Sequence, residues 1–251
     1  MTQKPVWRSG YIVVFVLFMA LLIAYLDRVN MAILIADSNF LKDMGIADRP
    51  DLRGLLMSVF LWTYGCAALL LSFALDKVGA RRGLVFLALV CSISMFFGGI
   101  AWSFMVLILS RIILGIGEGI QLPLNSMVVK NWAPPRERGI ANSIWGSGLV
   151  VGSAITMPLV AAIIASLGWR ASFFILGITT IAVTIPLVLI FVYNHPKDSP
   201  WVKKDELDYI EKGLAVENSI QKNDINGATA HSKSEWSNVL KNADYWLVVA
   251  W

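Results

Sequence analysis

Arg111-Ile-Ile-Leu-Gly-Ile-Gly-Glu118-Gly-Ile-Gln-Leu-Pro123 decides how this chain is read. The stretch lies inside an apolar run from about Phe104 to Val129, long enough to cross a bilayer as one helix. Arg111 and Glu118 are seven residues apart, which puts them on one face of that helix, two turns from each other. Asp27-Arg28 interrupts the first apolar run of the chain in the same way. Each such charge costs about 2.5–3.5 kcal/mol near the centre of a membrane helix, so the four together cost roughly 10 kcal/mol. Charges at that depth face a protein interior or a water-filled cavity and mark a pathway. A transport site is therefore the first expectation.

The composition agrees with a membrane protein. Apolar residues make up 57% of the chain and charged residues 15%, with a mean hydropathy of +0.67. Soluble proteins run near 45–50% and about 25%. The formal charge of +4 does not indicate a nucleic-acid partner, because the basic residues gather in loops flanking the apolar runs. Cys66 and Cys91 both fall inside apolar helices and read as small packing residues. Lys4 and Arg8 before the run Tyr11–Tyr25 resemble the start of a signal peptide, but no small-residue cleavage site follows and further spans do. The run is read as a retained first helix.

Six spans are expected, at about 11–36, 53–75, 83–101, 104–130, 138–166 and 172–193. The loops on one side carry Lys4, Arg8, Lys77, Arg81, Arg82, Lys130, Arg136 and Arg138, eight basic residues. The other side carries four: Lys42, Arg49, Arg53 and Arg170. The excess of positive charge on cytoplasmic loops puts the N-terminus inside, in the bacterial inner (plasma) membrane. Residues 1–193 then form a six-helix bundle and 194–243 a cytoplasmic linker. Ser199 and Pro200 suit the start of a helix in that linker, and Leu207, Ile210 and Leu214 recur at helical spacing. This amphipathic helix is expected to lie along the membrane surface or the protein's cytoplasmic face. Asn218 to Ser234 reads as a flexible linker, and 244–251 as the first two turns of a seventh span. The chain reads as half of something larger, with a C-terminal six-helix half as its missing partner.

The loop Ser72-Phe-Ala-Leu-Asp76-Lys77-Val-Gly79-Ala-Arg81-Arg82 resembles the signature between helices two and three of the major facilitator superfamily, with Ser72 and Ala80 as departures. Three further stretches resemble the anion:cation symporters within it, the group of sugar-acid and organic-anion carriers. They are Tyr25-Leu-Asp27-Arg28-Val-Asn30, Arg111 with Gly115, Glu118, Gly119 and Pro123, and Trp132-Ala-Pro-Pro-Arg136-Glu137-Arg138. The resemblance implies an all-α membrane fold, the N-terminal bundle of a twelve-helix transporter built from two inverted three-helix repeats. It further implies proton-coupled symport of a small organic anion by alternating access, with sodium left open as the coupling ion and no other cofactor. In that reading Arg28 holds a substrate carboxylate, Tyr25 and Tyr64 complete the pocket, and Arg111 is the charge partner in helix four. Asp27 and Glu118 carry protons, and Asp76, Lys77, Arg81 and Arg82 form a cytoplasmic gate. Sugar-acid members often place an amide in the middle of helix five, where this chain has Leu149 and Val150. A less polar carboxylate than a sugar acid is therefore an open alternative.

The residue types suit the chemistry. A guanidinium binds a carboxylate with a planar fork and keeps its charge. For a buried acid beside an arginine, desolvation favours the neutral form and the arginine favours the carboxylate, so an anion that engages the arginine shifts the balance. That linkage runs in both directions. Other readings stay open: static ion pairs that only fix helix packing, an organophosphate antiporter or drug exporter of the same superfamily, and a non-transporting receptor or scaffold. An enzyme is not expected, since His195 and His231 show no ligand spacing and no nucleophile–base pair is evident. Gly115, Gly117 and Gly119 follow no strand, so they suit close helix packing and not a dinucleotide loop. Gly146, Gly148 and Gly152 before Pro158 are expected to give helix five a closely packed surface and a bend.

Overall fold

A computed structural model describes residues 8–215, apart from a few side chains, and these residues are helical through most of their length. Six helices are long and apolar enough to cross a membrane: Ser9–Leu34, Pro50–Ser72, Ala80–Gly99, Phe104–Trp132, Arg138–Leu167 and Trp169–Phe191. They lie within a few residues of the expected spans. The linker beyond residue 215 and the start of a seventh span fall outside the described residues. We label the helices α1 (Arg8–Leu34), α2 (Ser38–Asp43), α3 (Pro50–Val78), α4 (Ala80–Gly99), α5 (Phe104–Gly119), α6 (Gln121–Trp132), α7 (Arg138–Leu167), α8 (Trp169–Thr179) and α9 (Ile185–Phe191). A last helix, α10, covers 204–215.

Local chemistry sets most boundaries. Asp37 caps α2 by accepting from the Phe40 N–H at 2.7 Å, a short helix that the mixed charges of this loop concealed. Ser103 caps α5, and Pro50 opens α3 at a position where no N–H is needed. The fourth span is not one helix. It breaks at Ile120 (φ −88°, ψ −4°), because Pro123 offers no N–H to the Gly119 carbonyl and its ring crowds that group. The sixth span is interrupted too: Thr180–Thr184 widen into a π-helical turn just ahead of Pro186.

Two joints expose the internal repeat. Gly79 alone separates α3 from α4 with φ 83° and ψ 150°, and Gly168 alone separates α7 from α8 with φ 82° and ψ 165°. Only glycine adopts this conformation without strain, so each pair of spans turns on one residue. An arginine follows two positions later in both cases. Arg81 donates to the Leu189 carbonyl at the end of the sixth span and lies over the Tyr193 ring at 4.4 Å. Arg170 donates to the Ala101 carbonyl just after the third span at 3.0 Å and lies over the Trp169 ring at 4.1 Å. Each repeat thus caps the third helix of the other, satisfying carbonyls that a helix end leaves free. The side chains of Lys77 and Arg82 are exposed, whereas the Arg81 backbone N–H is also held by Asn194 at 3.1 Å.

On the face opposite the N-terminus, the Trp169 indole and the Arg170 guanidinium donate to Asp43 at 2.9 and 3.1 Å. These bonds, the indole's first, hold the Asp43 carboxyl below its ordinary value of 3.8. A depressed native pKa contributes stability that is complete above the ordinary carboxylate range and is lost as pH falls below it. Asp43 is solvent-exposed, so the contribution is small. Asp43→Asn should therefore flatten the acid-side decline in melting temperature between about pH 5 and 3, a decline the unmodified protein shows.

Two apolar cores stack along the bundle. One includes Leu17, Leu84, Leu114, Leu124 and Trp132, the other Leu34, Phe40, Met95, Leu107 and Phe173. Glycines bring the helices together around them. A Cβ on Gly119 would lie 2.5 Å from the Tyr64 carbonyl, and one on Gly115 would meet Phe60 O at 2.8 Å, so α5 rests directly on α3. Gly148 and Gly152 do the same for α7 against Phe18 and Leu22 of α1, while Gly146 faces open space and takes no part. α7 runs on through Pro158 as one continuous helix. Gly119→Val should force α3 away and cost about 1–3 kcal/mol, read as a lowered melting temperature of the detergent-solubilised full-length protein.

The linker helix docks on the protein. Ile210 is fully buried, Glu206 accepts from the Ser9 N–H at 2.7 Å, and Gly213 packs on Pro134. Its start differs from the expectation at Ser199. Pro196–Asp198 form a short 3-10 turn, Ser199 ends that turn, and α10 begins only at Lys204. Trp201 explains the delay, since its ring is drawn between Trp132 (5.6 Å) and Phe191 (6.1 Å).

Candidate functional site

The intramembrane charges meet where the two apolar cores join. Arg28 of α1 reaches across to Glu118 of α5, with Nε 2.9 Å and Nη2 2.8 Å from the same oxygen, Oε2. The acid is sealed and the arginine is not: side-chain exposure is 1% for Glu118 and 27% for Arg28. Only part of the guanidinium's donor set is used, and among the described residues Oε1 of Glu118 has no partner.

Three aromatic rings surround the guanidinium. Its central carbon lies 5.1 Å from the ring centre of Tyr25, 4.8 Å from Tyr64 and 5.2 Å from Phe60. Such faces attract a cation without neutralising it or occupying its N–H donors. Tyr25 and Tyr64, which the resemblance implied, are two of these rings. Phe60 was missed, although Phe60 and Tyr64 form an aromatic pair at i, i+4 on α3 that could have signalled one shared face.

Arg111 stands differently from the expectation. Glu118 takes its ion-pair partner from α1, because seven residues along a helix separate two groups by roughly 10 Å. Arg111 instead is 1% exposed, lies over the Phe173 ring at 5.7 Å and reaches Met95 Sδ at 4.0 Å. Its Nε has no partner among the described residues. A cavity of about 90 Å³ joins the two arginines, lined also by Met31, Leu56, Met57 and Phe60. That is room for a few waters, between two guanidinium groups.

Asp27 is fully buried beside them. Its Oδ2 accepts from the Thr180 hydroxyl at 3.1 Å, and Oδ1 has no partner among the described residues. Thr180 begins the π-helical turn of the sixth span, so a helix irregularity sits against an intramembrane acid, a placement common at functional sites. Neither Thr180 nor the turn was legible in the sequence. One turn along α1, Asn30 accepts from Ser172 at 2.9 Å.

The expected gate residues lie at the N-terminal face, apart from this centre. Arg81 alone of Lys77, Arg81 and Arg82 is tied to the sixth span, and the Asp76 side chain falls outside the description. No group of histidine, cysteine or acidic residues able to hold a metal occurs among the described residues.

The comparisons with known proteins fit this architecture. A solved bacterial homologue of the human lysosomal transporter Spinster, inward-facing and occupied, superposes with a TM-score of 0.65 at 23% identity, over 76% of this chain and 46% of that one. That likeness speaks to fold. In sequence, the chain is 33% identical to the "Probable sulfoacetate transporter" of Cupriavidus necator, over 77% of this chain and 43% of the relative. It is 32% identical to a D-galactonate transporter of Escherichia coli, over 82% of this chain and 46% of the relative. With a probable galactarate/D-glucarate transporter of Escherichia coli it shares 30%, over 86% and 48%. The chain thus spans about half the length of these curated relatives, all of them transporters and not enzymes. The profile described as Major Facilitator Superfamily matches residues 17–251, and with the six spans, the paired repeats and the buried charges in place, the chain belongs to that superfamily.

Proposed function

We propose that the full-length protein carries a small organic anion together with protons across a bacterial inner membrane, by alternating access and with its N-terminus in the cytoplasm. The observation that carries this reading is the unequal pair Arg28–Glu118, an accessible guanidinium bonded to a sealed carboxylate. An anion arriving at Arg28 competes for the donors that Glu118 uses. Breaking a buried pair leaves an uncompensated charge worth about 3–5 kcal/mol, and a proton on Glu118 removes it. Anion and proton therefore favour each other's binding, and by linkage the effect is equal in both directions. Asp27, which among the described residues is held by a hydroxyl and no cation, serves as a second proton carrier in the same layer.

Support for the substrate class comes from the relatives named for sulfoacetate, galactonate and glucarate. Leu149 and Val150 stand where sugar-acid carriers often have an amide, which favours a short anion with few hydroxyls. The eight basic residues on one side against four on the other support the orientation.

The test is uptake by the full-length protein in proteoliposomes under an imposed pH gradient, across a panel of sulfonates, short carboxylates and hexonates. Accumulation of a sulfonate or short carboxylate is expected, with hexonates taken up less well. Transport of organic cations in place of anions would overturn the reading.

A further inference from the structure

We infer that the N-terminal face carries a second anion site, one that takes a phosphate group and is separate from the intramembrane charges. A cavity of about 280 Å³ opens there between the ends of α6, α7 and α9 and the docked helix α10. Lys130, Arg138, His195 and Lys197 line it, with Glu211 as the single carboxylate. Lys130 and Lys197 set two exposed cations against that one carboxylate, apart from Arg138, whose head is engaged by the protein itself. The position is at the membrane boundary: Lys130 lies two residues before the end of one apolar span, and Arg138 begins the next.

The cations are arranged, not scattered. Arg138 is fixed by donating to the Ala133 and Lys130 carbonyls, both at 3.1 Å, which holds its planar head at the rim. Among the described residues no carboxylate forms an ion pair with Lys130 or Lys197, so their charge is available to a ligand. Asn131 and Pro196 also line it, and Leu207, Ile210 and Leu214 give α10 an apolar side there. A basic rim over an apolar wall at the level of the headgroups matches a phosphate carried by a lipid; a soluble phosphate would use the rim alone. The helix α10 is thereby given a purpose beyond tethering, because without it the cavity loses one side.

The full-length protein in detergent provides the test, with phosphatidylglycerol and inorganic phosphate as separate probes. Native mass spectrometry and melting temperature report binding to the unmodified protein and to the double variant Lys130→Ala/Lys197→Ala. Both lysines are exposed, so the variant should fold normally. A lysine near an anionic headgroup contributes about fivefold in affinity, so the pair should weaken phosphatidylglycerol binding about 25-fold. That result supports the site and identifies a lipid as its occupant. Binding of inorganic phosphate alone, abolished in the variant, supports the site with a soluble source. Binding of neither probe, or equal binding by variant and unmodified protein, overturns it.

Discussion

Arg28→Lys is expected to weaken anion binding by roughly 30- to 150-fold, about 2–3 kcal/mol, while the protein stays folded. An ammonium keeps the charge and can still pair with Glu118, so the bundle retains its buried neutrality. It loses the planar fork, and with it the donors that remain free while two others hold Oε2. It also fits the space between Tyr25, Phe60 and Tyr64 poorly, where a flat guanidinium is enclosed at 4.8–5.2 Å from three ring centres. Equilibrium binding of the transported anion to the purified full-length variant measures the loss. Affinity close to that of the unmodified protein would remove Arg28 from the anchoring role and leave it as a packing ion pair.

Glu118→Gln should separate transport from its driving force. The amide oxygen still accepts from Arg28 and fills the same volume, but the side chain no longer takes up or releases a proton. A gradient of one pH unit is worth about 1.4 kcal/mol per coupled proton, about tenfold in accumulation. The variant should lose that accumulation while exchanging labelled for unlabelled anion across the same vesicles. Gradient-driven uptake equal to that of the unmodified protein would take Glu118 out of the coupling.

The sequence made the architecture readable because apolar length and loop charge act locally. Six runs, two intramembrane breaks and a basic loop asymmetry are counted residue by residue. The roles of Arg28, Tyr25 and Tyr64 came from the family resemblance; local logic adds only that Tyr25 and Arg28 share a face of α1. It failed wherever partner choice crosses helices. Nothing in the run from Arg111 to Pro123 says that Glu118 bonds to an arginine 90 positions earlier, or that Arg111 turns to Met95 and Phe173. Phe60 and Thr180 were hidden for the same reason: their surroundings come from other spans. The broken fourth helix was foreseeable from Pro123, whose missing N–H predicts a gap in the ladder. The π-helical turn at Thr180 follows Pro186 less directly, because a proline permits several local repairs.

The pH dependence of anion affinity, measured on the purified full-length protein without any gradient, tests the account at its root. If one site holds guanidinium, anion and titratable acid in mutual competition, affinity must rise as pH falls, approaching tenfold per unit for one linked proton, and must flatten in Glu118→Gln. An affinity that stays constant across the same pH range in the unmodified protein would show that anion and proton do not meet at Arg28 and Glu118.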